Sequence, residues 1–567
     1  MVGNRLDLPA IIQTAVSDTM KIFRDKRIVF VCSLTTLSLA LQAVYLLILS
    51  ISYSDDAGAY YLSARFLAGL PGGQFLYQRP PGYPAFLVAT GLTWLNNFDL
   101  LIAAQAIMGV LASLMMYAIL RDVSRPAALA AAALFAVTGI PFTYAKAVMS
   151  EQPFMFFVLA TLAACSHFIT AKRPKYAVFA MAAAFATLMV RNEGLYVAVL
   201  AFVALLIAAW PARRLMATVA LAGLVVAVLT LGWSVERSRF LERRPGPSPI
   251  GSLSNFAGHQ LYAQIYVQIM WDDYNWRCLY FHSRTCKPAL EPQRLVRPEN
   301  GPATEHLAQL IRQWAKNSGY APERFVSDYF DHPSMDQGPP DKLRLAWTEV
   351  IDRLGYVEGD RLLMRVCLEA IRARPEVPYV LAASSSPYFG ISLQNLVAGM
   401  QGKAPLTHTF FSNWLEDYHE NDPNAAVARV TLPPDLLRAY ENDHGRPVGP
   451  LAGELLRSGR AIHNFVRNVV GPLFLLTLPA ILLTRRRELG LALLLLGVLG
   501  LLLAVYAVAF GYELRAEHTV FPLMLMVTTI SVHRLVGAFT RHRRRRAATE
   551  LAKEHPSSAR AMEPAAK

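Results

Sequence analysis

Asp55, Asp56, Arg79, Lys146, Glu151, Arg191, Glu193, Glu513, Arg515, Glu517 and His518 lie in short polar connections between long apolar runs. They come from four separate connections, and the charge pattern described below turns all four toward one surface. Gathered there, they form a mixed-charge pocket suited to an anionic lipid headgroup and a polar partner arriving from water. Each also has a purely structural reading. Ser54, Asp55 and Asp56 precede a helical stretch, Ala57 to Leu70, and can cap it and complement its dipole. Ser150 and Glu151 can start a helix, with Pro153 suited to its first turn. Arg191 and Glu193 can form an ion pair in a tight turn, and Lys146 and His518 read as surface residues at the headgroup level. The functional reading rests on their joint occurrence.

The elements that must position these groups are set by composition. Of 567 residues, 54% are hydrophobic and only 17% charged, and the apolar ones fall in runs of roughly twenty, enough to cross a hydrocarbon core about 30 Å thick. This excludes an ordinary soluble protein. We read about ten spans, beginning near Ile28, Leu100, Ala127, Glu151, Tyr176, Leu195, Leu215, Val466, Leu489 and Thr519, and those spans look free of midpoint charge.

Net charge is +14, from 55 Lys and Arg against 41 Asp and Glu. Its placement, not its size, carries the meaning. Six basic clusters sit at alternate span ends: Arg24 to Arg27, Arg121 and Arg125, Lys172 to Lys175, Arg213 and Arg214, Arg485 to Arg487, and Arg541 to Arg546. The positive-inside rule assigns all six to the cytoplasm, with both termini. The charge excess is thus an orientation signal and implies no nucleic-acid partner. The first span lacks a small-residue cleavage site and reads as a retained anchor.

The expected organisation is a cytoplasmic segment (1–27), a membrane module (28–233) with a first outer loop (52–99), an extracytoplasmic domain (234–465), C-terminal membrane helices (466–540) and a basic tail (541–567). The long outer segment is about 230 residues, too large for a loop. Within it, Ala303 to Asn317 aligns Leu307, Leu310, Ile311 and Trp314 on one helical face, and Asp360 to Ala373 does the same with Leu362, Leu363, Val366 and Ile371. Tyr379 to Met400 is apolar but broken by Ser384 to Pro387, and reads as interfacial or re-entrant. Cys278 and Cys286, both outside, could be bridged in an oxidising compartment. Asp272 and Asp273 are further outer carboxylates.

Several stretches carry a family resemblance. One runs from Ser54-Asp55-Asp56 through Tyr60, Tyr61, Ala64 and Arg65 to Tyr77-Gln78-Arg79-Pro80-Pro81-Gly82-Tyr83-Pro84. A second is Met149-Ser150-Glu151-Gln152-Pro153, with Arg191-Asn192-Glu193-Gly194 beside it. A third is Arg515 to Pro522, and the Ala370 to Pro375 helix end adds a fourth. Together they resemble the multi-spanning glycosyltransferases that use polyprenyl-phosphate sugars, the GT-C fold class. The similarity is strongest to its bacterial branch, related to protein mannosyltransferases and the lipid A aminoarabinose transferase. The resemblance covers the membrane half; most of the outer domain carries no such motif.

It implies a helical polytopic GT-C-like fold in a bacterial inner membrane, with the active site facing the periplasm or exterior and a role in cell-envelope glycan biosynthesis. It also implies transfer of a single sugar to a hydroxyl of a glycan, lipid or protein. Asp55 is then the base, with Asp56 its alternate or a substrate-orienting neighbour, since a surface carboxylate can take a hydroxyl proton. Arg79 and Arg515 would bind the donor phosphate, with Arg191 and Lys146 in support, because the guanidinium fork suits phosphate. Glu151, Glu193, Tyr60, Tyr83 and His518 would orient substrate. In-line attack would invert the anomeric centre.

No nucleotide or redox cofactor is required. A divalent metal is not favoured, because Gln78 stands where some relatives carry a metal-binding Glu. Other readings are a polyprenyl-diphosphate glycan ligase or polymerase, a lipid-linked sugar transporter, and a structural assembly protein. The sugar and acceptor are not legible.

Overall fold

The computed structural model describes residues 26–53, 55–75, 79–210, 212–242, 257–263, 265–266, 296–331, 342–375, 377–378, 391, 393, 397, 423–444, 449–483, 486–506 and 517–554. Cys278, Cys286, Asp272, Asp273, Gln78, Glu513, Arg515 and nearly all of 379–400 lie outside the described residues. The described chain is almost wholly helical. Its β-type pairing is one isolated parallel bridge between Ser52 and Ala147.

The membrane module begins with α1 (Lys26–Ile48). The first outer loop carries α2 (Asp55–Leu67) and α3 (Gly82–Ala89). Then come α4 (Asp99–Leu120), α5 (Arg125–Val137), the single turn α6 (Ile140–Thr143), α7 (Glu151–Ala171), α8 (Pro174–Val190), α9 (Gly194–Ala209) and α10 (Arg213–Glu242). Helices are the forced solution here, because hydrocarbon offers backbone N–H and C=O groups no other partner. Pro174 opens α8 where a missing N–H costs nothing.

Among the described residues six helices are long and apolar enough to cross a membrane, or seven if α5 and the bent segment Ile140–Lys146 form one span. Three shorter apolar helices accompany them: Pro174–Val190, Gly194–Ala209 and Leu489–Val505. The chain is a multi-pass membrane protein.

The break after α5 has a local cause. Gly139 sits at φ 74, the left-handed region, and a Cβ there would strike the Tyr45 hydroxyl. The bend of 44° redirects the chain along the outer end of the bundle. Gly109 of α4 lets the Pro141 carbonyl approach closely, and any side chain would collide with that oxygen.

The outer segment contributes α11 (Ala257–Ala263), α12 (Pro302–Asn317), α13 (Pro322–Asp331) and α14 (Lys342–Ala373). They share a core of their own, built on Leu307, Ile311, Tyr329, Leu362, Leu363 and Val366. The two helical faces expected from sequence are the ones buried. Two later helices, α15 (Pro423–Thr431) and α16 (Pro434–His444), behave differently. Ala428, Leu432, Leu436 and Tyr440 join the membrane module's core instead. The C-terminal part then adds α17 (Pro450–Thr477), α18 (Arg486–Val505) and α19 (Glu517–Glu554).

Glu369 of α14 caps α12 from outside. It accepts the N–H groups of Ala303 (2.9 Å) and Thr304 (2.8 Å) and the Thr304 hydroxyl (2.8 Å). Burial raises its pKa, but these donors outweigh burial and hold it below the usual carboxylate value. A depressed folded pKa stabilises above the unfolded value, about 4.3, and that contribution is lost as pH falls through the folded one. Glu369→Gln is therefore expected to lower the melting temperature at pH 7 and to flatten its fall between about pH 5 and 3. Melting curves across pH in detergent check this.

Candidate active site

The first outer loop is anchored before it forms a site. The Ser52 N–H donates to the Lys146 carbonyl and the Val148 N–H to the Ser52 carbonyl, both at 2.9 Å. From below, the Gln105 amide of α4 donates to the carbonyls of Tyr144 (3.3 Å), Ala145 (3.2 Å) and Ala147 (2.8 Å). This amide, buried midway through the chain's fold, fixes the turn that precedes α7.

On that base a chain of polar contacts forms. Arg79 pairs with Asp56 and donates from Nη1 to the Tyr60 hydroxyl at 2.8 Å. Its guanidinium lies 4.7 Å from the Tyr60 ring centre. The Tyr60 hydroxyl in turn meets Ser150 Oγ at 2.9 Å. Ser150 makes no side-chain cap on α7; its hydroxyl turns to Tyr60 instead. Tyr83 packs edge-on against Tyr60, ring centres 4.8 Å apart. Burial pushes the Tyr83 phenol well above its ordinary pKa, so it stays protonated.

Arg191 is held by two carboxylates. It donates from Nη1 to Glu151 Oε1 at 2.8 Å and from Nη2 to Glu193 Oε1 at 3.0 Å. The turn presents it by geometry: Arg191 ends α8 in extended backbone, and the Gly194 N–H returns to its carbonyl at 3.0 Å. The ion pair with Glu193 is real, but it is half of a three-residue clamp. Burial opposes the charge on Arg191, yet Glu193 and Glu151 outweigh it and raise its pKa. Arg79 resolves in the same way. Burial works against its charge, Tyr60 and Asp56 restore it, and the like charge of Arg191 is felt across the gap. Both cations thus remain ionised in one neighbourhood.

Lys146 and His518 are not surface residues. Lys146 is 8% exposed and donates to Asp443 Oδ1 at 3.0 Å, while the other Asp443 oxygen accepts the Ile51 N–H at 2.7 Å. Asp443 ends α16, and with Tyr53 meeting Thr431 Oγ1 at 2.9 Å it docks the α15–α16 pair on the outer loop. His518 is 3% exposed, lies 3.1 Å from Gln152 Oε1 and sits edge-on to Tyr144 at 4.3 Å. Both residues are thus buried and have polar partners beside the site.

Of the expected site residues, the structure brings together Asp56, Arg79, Tyr60, Tyr83, Glu151, Arg191 and Glu193. Asp55 starts α2, and its side chain, like all of Arg515, lies outside the described residues.

Sequence reasoning missed Asp443 and a buried polar face of α17. Asp443 lies far along the chain in a segment without a motif. On α17, His463, Arg467 and Asn468 are buried, Arg467 completely, so the last spans are not free of charge. Their four- and five-residue spacing within an apolar run was the available signal. Among the described residues no group of three or more His, Cys, Asp or Glu side chains could hold a metal ion.

Residues 78–233 match the family described as Dolichyl-phosphate-mannose-protein mannosyltransferase. The matched stretch lies in the membrane module and contains Arg79, Tyr83, Glu151, Arg191 and Glu193. Two solved structures are similar at a distance. One is ArnT from Cupriavidus metallidurans bound to undecaprenyl phosphate, at 15% identity, covering 89% of this chain and 77% of that one, with a TM-score of 0.30. The other is the apo oligosaccharyltransferase of Archaeoglobus fulgidus, at 14% identity, covering 76% of this chain and 57% of that one, also with a TM-score of 0.30. No curated protein matches the sequence.

The clamp makes a quantitative prediction. Removing Arg191 leaves two buried carboxylates unpaired, so Arg191→Met is expected to cost about 3–5 kcal/mol. The triple variant that also carries Glu151→Gln and Glu193→Gln should regain most of that loss. Unfolding free energies of the three proteins in one detergent measure it.

Proposed function

We propose that this chain is a membrane glycosyltransferase that moves one sugar from a polyprenyl-phosphate donor to an acceptor hydroxyl, with its active site on the side opposite the basic clusters. The observation that carries the reading is the convergence of Arg79 and Arg191, both charged and both partly buried, beside Asp56, Tyr60 and Glu151. The family match, which spans Arg79, Glu151 and Arg191, supports it, since dolichyl phosphate is a polyprenyl phosphate.

In this reading Asp55 deprotonates the acceptor hydroxyl as it attacks the anomeric carbon, and the configuration inverts. Asp56, engaged with Arg79, serves as the orienting neighbour. The leaving group is a lipid phosphate whose growing charge needs fixed cations. Arg79 supplies one, exchanging part of its contact with Asp56 for the phosphate, and Arg515 supplies another. Arg191 already spends two donors on carboxylates, so its part is to position Glu151 and Glu193 for the sugar hydroxyls and to add positive potential. Tyr60 links the arginine to Ser150 and keeps the loop against α7. The acceptor is a glycan, a lipid or a protein, and the membrane in question is the bacterial inner membrane.

The test is sugar transfer by purified protein from a panel of polyprenyl-phosphate sugars to candidate acceptors. Asp55→Asn is expected to lower the rate by about 10²–10⁴-fold, the usual worth of a general base. Arg79→Ala should lower it by about 10²-fold or more. Folded variants working at the wild-type rate would remove the assignment.

A further inference from the structure

A second site lies at the other end of the bundle. A cavity of about 1090 Å³ opens between the ends of α4, α7, α8 and α9 and the start of α18. Helix α7 carries Glu151 at one end and Ala171 at the other, 21 residues apart inclusive. At about 1.5 Å per residue that is roughly 30 Å, a membrane's thickness, so the cavity is not part of the site around Arg79. It lies where the basic clusters lie, the end that charge placement assigns to the cytoplasm.

Its walls and mouth differ in chemistry. The walls are aliphatic: Leu200, Val203 and Ile207 from α9 face Leu491, Leu493 and Leu494 from α18. Ile207 and Leu493 are more than half exposed, although both sit on helices of the bundle. Two glycines of α18, Gly490 and Gly497, stand two turns apart on the same side of the helix. A Cβ at Gly490 would meet nothing within 4 Å, and one at Gly497 would reach Leu200 only at 3.8 Å, so the groove is kept open by missing side chains.

The mouth is cationic. Arg121 and Lys172 border it, Arg173 and Lys175 are exposed on the adjoining turn, and among the described lining residues Asp122, 3.7 Å from Arg121, is the one acid. Lys172 is held in place by an unusual backbone, φ 53, and by donation from Nζ to the Ala208 carbonyl at 2.7 Å. One of its three ammonium hydrogens is thereby used, and the group is fixed at the rim instead of trailing in solvent.

The geometry points to a binding site for an anionic phospholipid of the cytoplasmic leaflet, its acyl chain in the aliphatic groove and its phosphate between Arg121 and Lys172. The volume lies just above the usual range of ligand clefts, about 300–1,000 Å³. The occupant is a lipid because the groove joins an apolar wall at membrane depth to a cationic rim at headgroup depth. A free phosphate would use the rim alone, and a neutral lipid the wall alone.

Full-length protein in detergent, titrated with phosphatidylglycerol or phosphatidylcholine of equal chain length and read by native mass spectrometry, tests this. Wild type is expected to bind phosphatidylglycerol roughly tenfold better than phosphatidylcholine, by the attraction of two cations to one anionic headgroup. The Arg121→Gln/Lys172→Gln protein should lose that preference, and Lys172→Arg should keep it. Gly490→Leu, which fills the groove without touching a charge, should weaken both lipids. Melting temperatures identify any variant that has lost its fold, and Gly490→Leu and Lys172→Arg then decide. Equal binding of the two lipids by wild type would overturn the proposal. So would an unchanged preference in folded double variant, or glycerol phosphate competing as well as the lipid does.

Discussion

Charge cannot be left unpaired at the end of an apolar helix bundle, and that constraint organises the outer face of this protein. Arg191 is drawn in at the α8–α9 turn only because Glu151 and Glu193 meet it there. Glu151 also begins α7, so the clamp fixes the start of one helix against the junction of two others. Ser150, next in line, meets Tyr60, and Tyr60 takes Arg79. A ladder of paired groups thus runs from the bundle to the first outer loop, and the loop's position follows from it.

The same logic explains why part of the outer segment rests on the membrane module. Asp443 satisfies both Lys146 and the Ile51 N–H. Two buried donors at the loop's base find their acceptor in a helix 297 and 392 residues later. Helices α15 and α16 are therefore a wall of the outer face, while α11 to α14 keep a separate core. Opposite ends of the bundle differ in kind. The outer end is dense with internal pairs, whereas the basic end is open and leaves a groove.

How much of this could be read from the sequence depends on the range of the interaction. Apolar runs and the alternation of basic clusters are local, and they located the helices and their polar ends. The short apolar helices at Pro174–Val190 and Gly194–Ala209 were visible for the same reason. Glu151, Arg191 and Glu193 stood out as helix-end charges, but that one arginine bridges both acids needs the third dimension. Lys146 and His518 read as surface groups because nothing nearby in sequence pairs with them; their partners, Asp443 and Gln152, are 297 and 366 residues away. Arg467 was hidden by the apolar residues that surround it in the run. The motif resemblance pointed to Asp56, Arg79 and Tyr60, and the structure adds that Arg79 contacts both of the others.

In the proposed function the lipid phosphate of the donor meets Arg79, with Arg191, held by Glu151 and Glu193, adding positive potential behind it. Equilibrium binding of a polyprenyl monophosphate against the matching uncharged polyprenol, to wild type and to Arg79→Lys, tests it most directly. The phosphate is expected to be required for tight binding, and Arg79→Lys, which keeps the charge but loses the planar fork, to weaken it by about tenfold. Equal affinity for the phosphate and the alcohol, or an Arg79→Lys protein binding as wild type does, would contradict it.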